Sequence, residues 1–260
     1  MRSKDLIDLS DDPNLIPGIY NYCDRWCERC AFSGRCLLYA TEKAEDDDPA
    51  SRHINNAAFW HKLASIFAQT QEMISAWADE NGVDLTPSAL AEGEEHNDRQ
   101  QAQSRNHPLA KIAEEYAFAV NEWFENEFEP MEVFSDTTAG SNDDDEHDEA
   151  VNDYLEVIRW YQFLIAVKLI RAISSRLEED EYGDEEWHHS DGSAKVALIA
   201  IDRSLSAWKL IGELRSENGV SIRKLLLDLE KLRLHTEREF PTARDFIRPG
   251  FDETSLDILQ

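Results

Sequence analysis

The chain has 260 residues and a formal net charge of −28 at pH 7, because 54 Asp and Glu residues outnumber 26 Lys and Arg residues. A charge of this size repels phosphate backbones, which argues against a nucleic-acid partner. Hydrophobic residues make up 42% of the chain, which excludes an intrinsically disordered protein.

No apolar run is long enough to span a membrane, and the first residues, MRSKDLIDLSDD, lack the apolar stretch of a secretory signal. We therefore expect a cytoplasmic protein with no membrane association. In that reducing compartment, clustered cysteines are more often metal ligands than disulfide partners. The composition leaves open a protein partner and the oligomeric state.

All four cysteines lie within one short stretch near the N-terminus, CDRWCERCAFSGRC. They are Cys23, Cys27, Cys30 and Cys36. Intervals of three, two and five residues allow the thiolates to converge on one metal centre at little loop-closure cost. The spacing predicts a metal-binding loop that uses all four cysteines.

The C-x2-C-x5-C spacing of Cys27, Cys30 and Cys36 resembles the last three ligands of the [4Fe-4S] loop in the endonuclease III family. It is also similar to the WhiB-like iron-sulfur proteins, in which the last cysteine leads into a helix, as Cys36-Leu37-Leu38-Tyr39 is expected to do here. The resemblance covers about sixteen residues, and the gap after Cys23 is shorter than in either family. It implies a ligand set for a [4Fe-4S] cluster, and it implies neither glycosylase activity nor a role in transcription.

Two further observations bear on the occupant of this loop. Arg25, Arg29 and Arg35 could offset the negative charge of a thiolate-ligated cluster and lower the pKa values of the thiols. A structural zinc ion also satisfies four cysteines, although zinc sites usually combine two separated C-x2-C knuckles and only one is present. The sequence predicts a [4Fe-4S] cluster, with zinc as the alternative.

Beyond the cysteine loop the pattern is helical, with acidic connectors and almost no strand alternation. The fold class predicted is mainly α: an antiparallel bundle of about five helices in residues 51–260, preceded by the four-cysteine loop and an acidic linker in residues 1–50. Four of the predicted helices cover about residues 53–80, 149–177, 193–214 and 221–239, and the fifth begins at residue 108. Residues 82–106 are expected to form a long polar connector.

Three features of the predicted helices depend on how the chain packs. In the first helix, one apolar stripe is expected to face the core; it comprises Phe59, Trp60, Leu63, Ile66, Phe67, Ile74 and Trp77. The helix over 149–177 is apolar nearly all round, so at least one of its polar residues should be buried and paired; these are Glu156, Arg159, Gln162, Lys168 and Arg171. The terminal segment RDFIRPGFDE is expected to pack through Phe246 and Phe251.

No sequence motif predicts an enzymatic reaction. Phosphate-binding glycine loops and the hydrolase nucleophile elbow are missing, so whether the chain is an enzyme stays open. Glu185-x-x-His188 and Glu186-x-x-His189 suggest a ferritin-like carboxylate-bridged di-iron oxidase, but these motifs overlap and that site needs two separate ones. The first alternative to an iron-sulfur protein is a non-enzymatic interaction protein with a structural four-cysteine zinc site, and the di-iron oxidase is the second.

Overall fold

The computed structural model describes residue 9 and residues 12–45, 53–128, 142–182, 189–214 and 219–252. These residues contain seven α-helices and no β-strand, which confirms the all-α prediction. The helices are α1 Leu37–Glu45, α2 Ala57–Asn81, α3 Pro87–Asn106, α4 Pro108–Trp123, α5 Asn142–Tyr182, α6 His189–Leu214 and α7 Gly219–Glu239. None of these helices has the length and apolar character needed to cross a membrane.

The chain divides into two compact units. The first contains residues 1–98 and 248–260, and the second contains residues 99–247, so the boundary falls within α3. The predicted division at residue 50 stays a prediction.

The second unit is a closed four-helix bundle in which α4 packs on α5, α5 on α6, α6 on α7, and α7 back on α4. Helices α5 and α6 run antiparallel. Arg176 near the end of α5 meets Asp191 near the start of α6, and Tyr161 further back on α5 contacts Arg203 further along α6. The connections from α5 to α6 and from α6 to α7 span only residues 183–188 and 215–218, and short connections favour antiparallel neighbours.

The bundle core is made of large side chains that are almost completely buried. They include Tyr116, Ile158, Tyr161, Ile165, Leu169, Leu198, Ile201, Trp208, Ile211 and Ile222. At its centre, the Trp208 indole Nε1 donates a hydrogen bond to the Tyr116 hydroxyl at 3.0 Å. Burial raises the pKa of the Tyr116 phenol well above its ordinary value near 10, so the hydroxyl stays neutral in the core.

The prediction of a buried polar residue in the long helix is confirmed at Gln162 of α5. This side chain is buried, and its amide nitrogen donates to the Asn121 side-chain oxygen of α4 at 3.0 Å. The bond satisfies the amide nitrogen of this buried side chain, which would otherwise destabilise the core.

Helix boundaries follow local signals where those signals are strong. Pro108 occupies the first turn of α4 as predicted, and His107 caps it by accepting a hydrogen bond from the Leu109 N–H at 3.2 Å. At the end of α2, Gly82 adopts a left-handed conformation with φ 68°, which glycine tolerates without a Cβ clash.

Two predictions about residues 53–106 are wrong. The expected polar connector contains the 20-residue helix α3, because its Ala, Leu, Glu, Gln and Arg residues are good helix formers even where no apolar face is present. In α2, the apolar stripe does not face a core: Trp60, Phe67 and Trp77 are each more than half exposed, and Ala78 is the only residue of the helix that is buried.

Candidate metal site in the cysteine loop

The cysteine loop is built from three successive 3-10 turns, Ile19–Tyr22, Cys27–Arg29 and Ser33–Arg35. A cysteine in extended backbone follows each turn: Cys23, Cys30 and Cys36. Each turn is three or four residues long and is followed at once by a cysteine.

Cys27 and Cys36 are placed by further local structure. Cys27 begins the second turn, and its carbonyl accepts the Cys30 N–H at 3.2 Å. The Cys36 carbonyl accepts the Ala40 N–H at 3.0 Å, so α1 starts directly after this cysteine, as the sequence predicts. Backbone hydrogen bonds therefore hold the C-x2-C knuckle and the last cysteine in place.

All four cysteines line one small, partly open cavity. Each is a free, partly buried thiol, and no disulfide joins them. Apolar and aromatic side chains form much of the remaining wall: Ile19, Tyr20, Trp26, Phe32, Tyr39 and Phe251. Among the described residues, no group of three or more His, Cys, Asp or Glu side chains is arranged to hold a metal ion. The predicted ligands thus share one cavity, and their metal stays a prediction.

Two of the sulfur atoms take part in hydrogen bonds within the loop. The Phe32 N–H donates to Cys30 Sγ at 3.4 Å, and the Cys23 thiol donates to the Tyr20 carbonyl at 3.5 Å. Bonds from backbone N–H groups to sulfur are one of the means by which a protein adjusts the reduction potential of an iron-sulfur cluster. The first of these bonds needs no change in protonation if Cys30 becomes a thiolate.

The three loop arginines each contact a neighbouring group in their own unit. Arg25 pairs with Glu42 of α1 at 3.5 Å, and the guanidinium of Arg29 stacks 4.1 Å from the centre of the Trp26 ring. Arg35 donates to the Asn14 carbonyl at 3.2 Å. Arg25 and Arg35 thus connect the loop to residues after and before it, whereas Arg29 makes its contact within the loop.

At Cys27 the net shift of the thiol pKa is upward, although the charge of Arg25 lowers this pKa as expected. Burial is the largest cause that raises the pKa of this thiol, followed by the negative charge of Glu42 and then by Cys23. Arg25 acts in the opposite direction and is outweighed. The physical reason is that Arg25 has a carboxylate partner close by, so the thiol experiences both charges of the pair.

The segment of residues 248–252 packs against the cysteine loop, a contact that the sequence pattern did not predict. Phe251 packs as predicted, and its ring meets Phe32 edge-on at 5.1 Å and lines the cysteine cavity. Arg248 holds this segment through hydrogen bonds to Asp252 at 3.0 Å and stacks on Phe251. Phe246, in contrast, belongs to the second unit. No local pattern in the sequence connects residue 251 with residues 23–36.

Close packing at Gly250 leads to a testable prediction. This glycine has φ 75°, and a Cβ at its position would lie 2.9 Å from Ile16 Cδ1 and 3.0 Å from Ile19 Cδ1. We expect Gly250→Ala to destabilise the first unit by about 2 kcal/mol or more, from left-handed strain plus crowding. Faster hydrogen exchange in peptides covering residues 12–45 would report the loss.

The matched control is Gly82→Ala, since Gly82 has φ 68° and no atom of the described residues lies within 4 Å of the place that a Cβ would take. That variant should show only the strain of the left-handed backbone, about 1 kcal/mol. Equal effects of the two substitutions on residues 12–45 would contradict the packing assigned to Gly250.

Comparison of the chain with protein-family models, with curated proteins and with solved structures finds no significant match. The fold and the site therefore define the class of protein by themselves: an all-α protein with a four-helix bundle and a four-cysteine loop in a separate compact unit. Of the residues proposed for a di-iron site, Glu185, Glu186 and His188 lie outside the described residues, and His189 is exposed at the start of α6.

Proposed function

We propose that this chain is a cytoplasmic iron-sulfur protein whose [4Fe-4S] cluster is held by Cys23, Cys27, Cys30 and Cys36. The observation that carries the proposal is that all four free thiols line the same cavity. Four thiolates are the usual ligand set of such a cluster, and the cluster would serve redox sensing, electron transfer or structural support.

The surroundings of the cavity agree with this occupant. Trp26 is buried beside it, and the aromatic rings of Phe32 and Phe251 cover part of its wall. Apolar cover limits the access of water, which is one of the determinants of cluster potential. The N–H of Phe32 already donates to the Cys30 sulfur, as it could to a thiolate ligand.

The spacing of the cysteines favours a cluster over zinc. Structural zinc sites usually combine two separated C-x2-C knuckles, and this loop contains one, formed by Cys27 and Cys30. A cubane cluster takes four thiolates, and all four cysteines line the same cavity. Structural zinc in a non-enzymatic interaction protein remains the alternative, because the same four ligands would serve it.

Metal analysis of protein purified without oxygen tests the proposal. A brown protein with a broad visible absorption band and about four iron and four sulfide per chain is the expected result. A colourless protein with about one zinc per chain would establish the alternative instead. Bleaching by dithionite that reverses without loss of iron would separate an electron-transfer or sensing role from a purely structural one.

A further inference from the structure

Residues 248–252, of sequence RPGFD, form a turn that is held together by its own hydrogen bonds. The Arg248 guanidinium donates to both carboxylate oxygens of Asp252, each at 3.0 Å. The Arg248 N–H also donates to this carboxylate at 3.0 Å, and the Arg248 carbonyl accepts the N–H groups of Phe251 and Asp252 at 3.1 Å. These bonds all lie within five residues, so the segment keeps its shape independently of what it contacts. We call it the 248–252 turn.

The 248–252 turn contacts the cysteine loop through apolar groups. The Phe251 ring meets the Phe32 ring edge-on at 5.1 Å and lines the same cavity as the four cysteines. Gly250 lies so close to two isoleucines that an added Cβ would be 2.9 Å from Ile16 Cδ1 and 3.0 Å from Ile19 Cδ1. Apolar contacts are individually weak, so they can break and re-form while the hydrogen bonds on either side stay intact.

The cysteines are held by structure that does not involve this turn. The Cys30 N–H donates to the Cys27 carbonyl, and the Ala40 N–H donates to the Cys36 carbonyl. The 248–252 turn contains no cysteine or histidine, and both oxygens of its single carboxylate accept hydrogen bonds from Arg248. It therefore belongs to the wall of the cavity and not to the set of candidate ligands.

We propose that the 248–252 turn is a cover that slows the exchange of the group bound in the cysteine cavity, and that the Phe251 ring is its closing element. The cavity is only partly open with this ring in its wall, and removal of the ring widens the opening. The inference rests on the proposed function in that the cavity holds a bound group. It applies equally to a cluster and to zinc, because the turn contacts the wall and supplies no ligand.

The rate at which the protein loses its metal to a chelator tests the cover. Full-length protein purified without oxygen is mixed with excess bathophenanthroline disulfonate and dithionite, and the coloured iron complex is followed over time. Phe251→Ala should begin with the same iron content as the original chain, because Phe251 is not a ligand. It should release that iron about tenfold faster, since the edge-on ring contact and the apolar surface it covers are lost.

Two further variants make the test specific. Phe67→Ala is the matched control, because it removes the same side chain from an exposed position of α2 in the same compact unit and should leave the rate unchanged. Gly250→Ala crowds the contact with Ile16 and Ile19 and should also speed release. Because both substitutions disrupt one contact, Gly250→Ala combined with Phe251→Ala should be less than about twice as fast as the faster single variant.

The possible results separate the cover from the proposed function. Release from Phe251→Ala at the original rate, or equal acceleration by Phe67→Ala, would overturn the cover. A lower initial iron content in Phe251→Ala would also overturn it, because the residue would then support the ligands themselves. A chain that carries zinc or no metal would contradict the proposed cluster, and the same variants are then compared by zinc release to a coloured chelator or by alkylation of the four thiols with iodoacetamide. Faster reaction of Phe251→Ala than of Phe67→Ala supports the cover in either case.

Discussion

Replacing Cys27 with serine is expected to lower bound iron from about four atoms per chain to less than one, with loss of the visible absorption band. A serine hydroxyl is a poor cluster ligand, and three thiolates leave one corner of the cubane open to solvent. Residues 12–45 bury few large side chains, mainly Ile16, Ile19, Tyr22 and Trp26, so the bound group would supply much of the loop's stability. Iron and sulfide analysis of anaerobically purified protein measures the loss.

Trypsin provides a second measurement of the same substitution. Arg25, Arg29 and Arg35 are cleavage sites within the loop, and they should be cut at least about tenfold faster once the bound group is lost. The control is Ser33→Ala, which alters a residue lining the same cavity without removing a thiol. Full iron content in the Cys27 variant would rule out Cys27 as a ligand, and equal loss in the Ser33 variant would mean that the loss is not specific to removal of a thiol. Iron that persists after all four cysteines are replaced would point to carboxylate ligands elsewhere.

Trp208→Ala is expected to destabilise the four-helix bundle by about 3–5 kcal/mol and to lower its unfolding midpoint by roughly 10 °C or more. The indole is fully buried, meets Trp123 edge-on at 4.8 Å and donates to the Tyr116 hydroxyl, so its removal leaves a cavity and deprives the phenol of this donor. Thermal and urea unfolding followed by far-ultraviolet circular dichroism give the change.

Two variants separate the causes of this effect. Tyr116→Phe keeps the packing but leaves the Trp208 N–H without that acceptor, which should cost about 1–3 kcal/mol. Leu227→Ala shortens an exposed side chain of α7 and should change stability by less than about 0.5 kcal/mol. If Trp208→Ala costs no more than the exposed control, the core described around Tyr116 is wrong.

Helix prediction succeeds where one local signal and one apolar face coincide. For α4, the proline in the first turn and the apolar residues at spacings of three and four both appear in the sequence, and both are confirmed by the buried positions Leu109, Tyr116 and Val120. For α3, the helix-forming residues are present without an apolar face, and the pattern wrongly predicts a connector. The helix propensity of these residues favours this helix, and a search for amphipathic faces does not detect helix propensity.

The apolar stripe of helix α2 shows a different limit. Periodicity correctly places Trp60, Phe67 and Ile74 on one side of a helix, but it cannot say what covers that side. A core and an interface between molecules require the same pattern, because water is excluded from both in the same way. Burial in the folded chain distinguishes them, and it shows that this stripe is exposed.

The amino-acid sequence by itself determined that the chain is helical and that four cysteines lie within one stretch of fourteen residues. Helical periodicity and short cysteine intervals are both local properties of the sequence. Only tertiary structure decided that those thiols share one cavity, that Phe251 from the far end of the chain lines its wall, and that burial and Glu42 together raise the pKa of Cys27. Contacts between distant residues depend on how the whole chain packs, which no local pattern encodes.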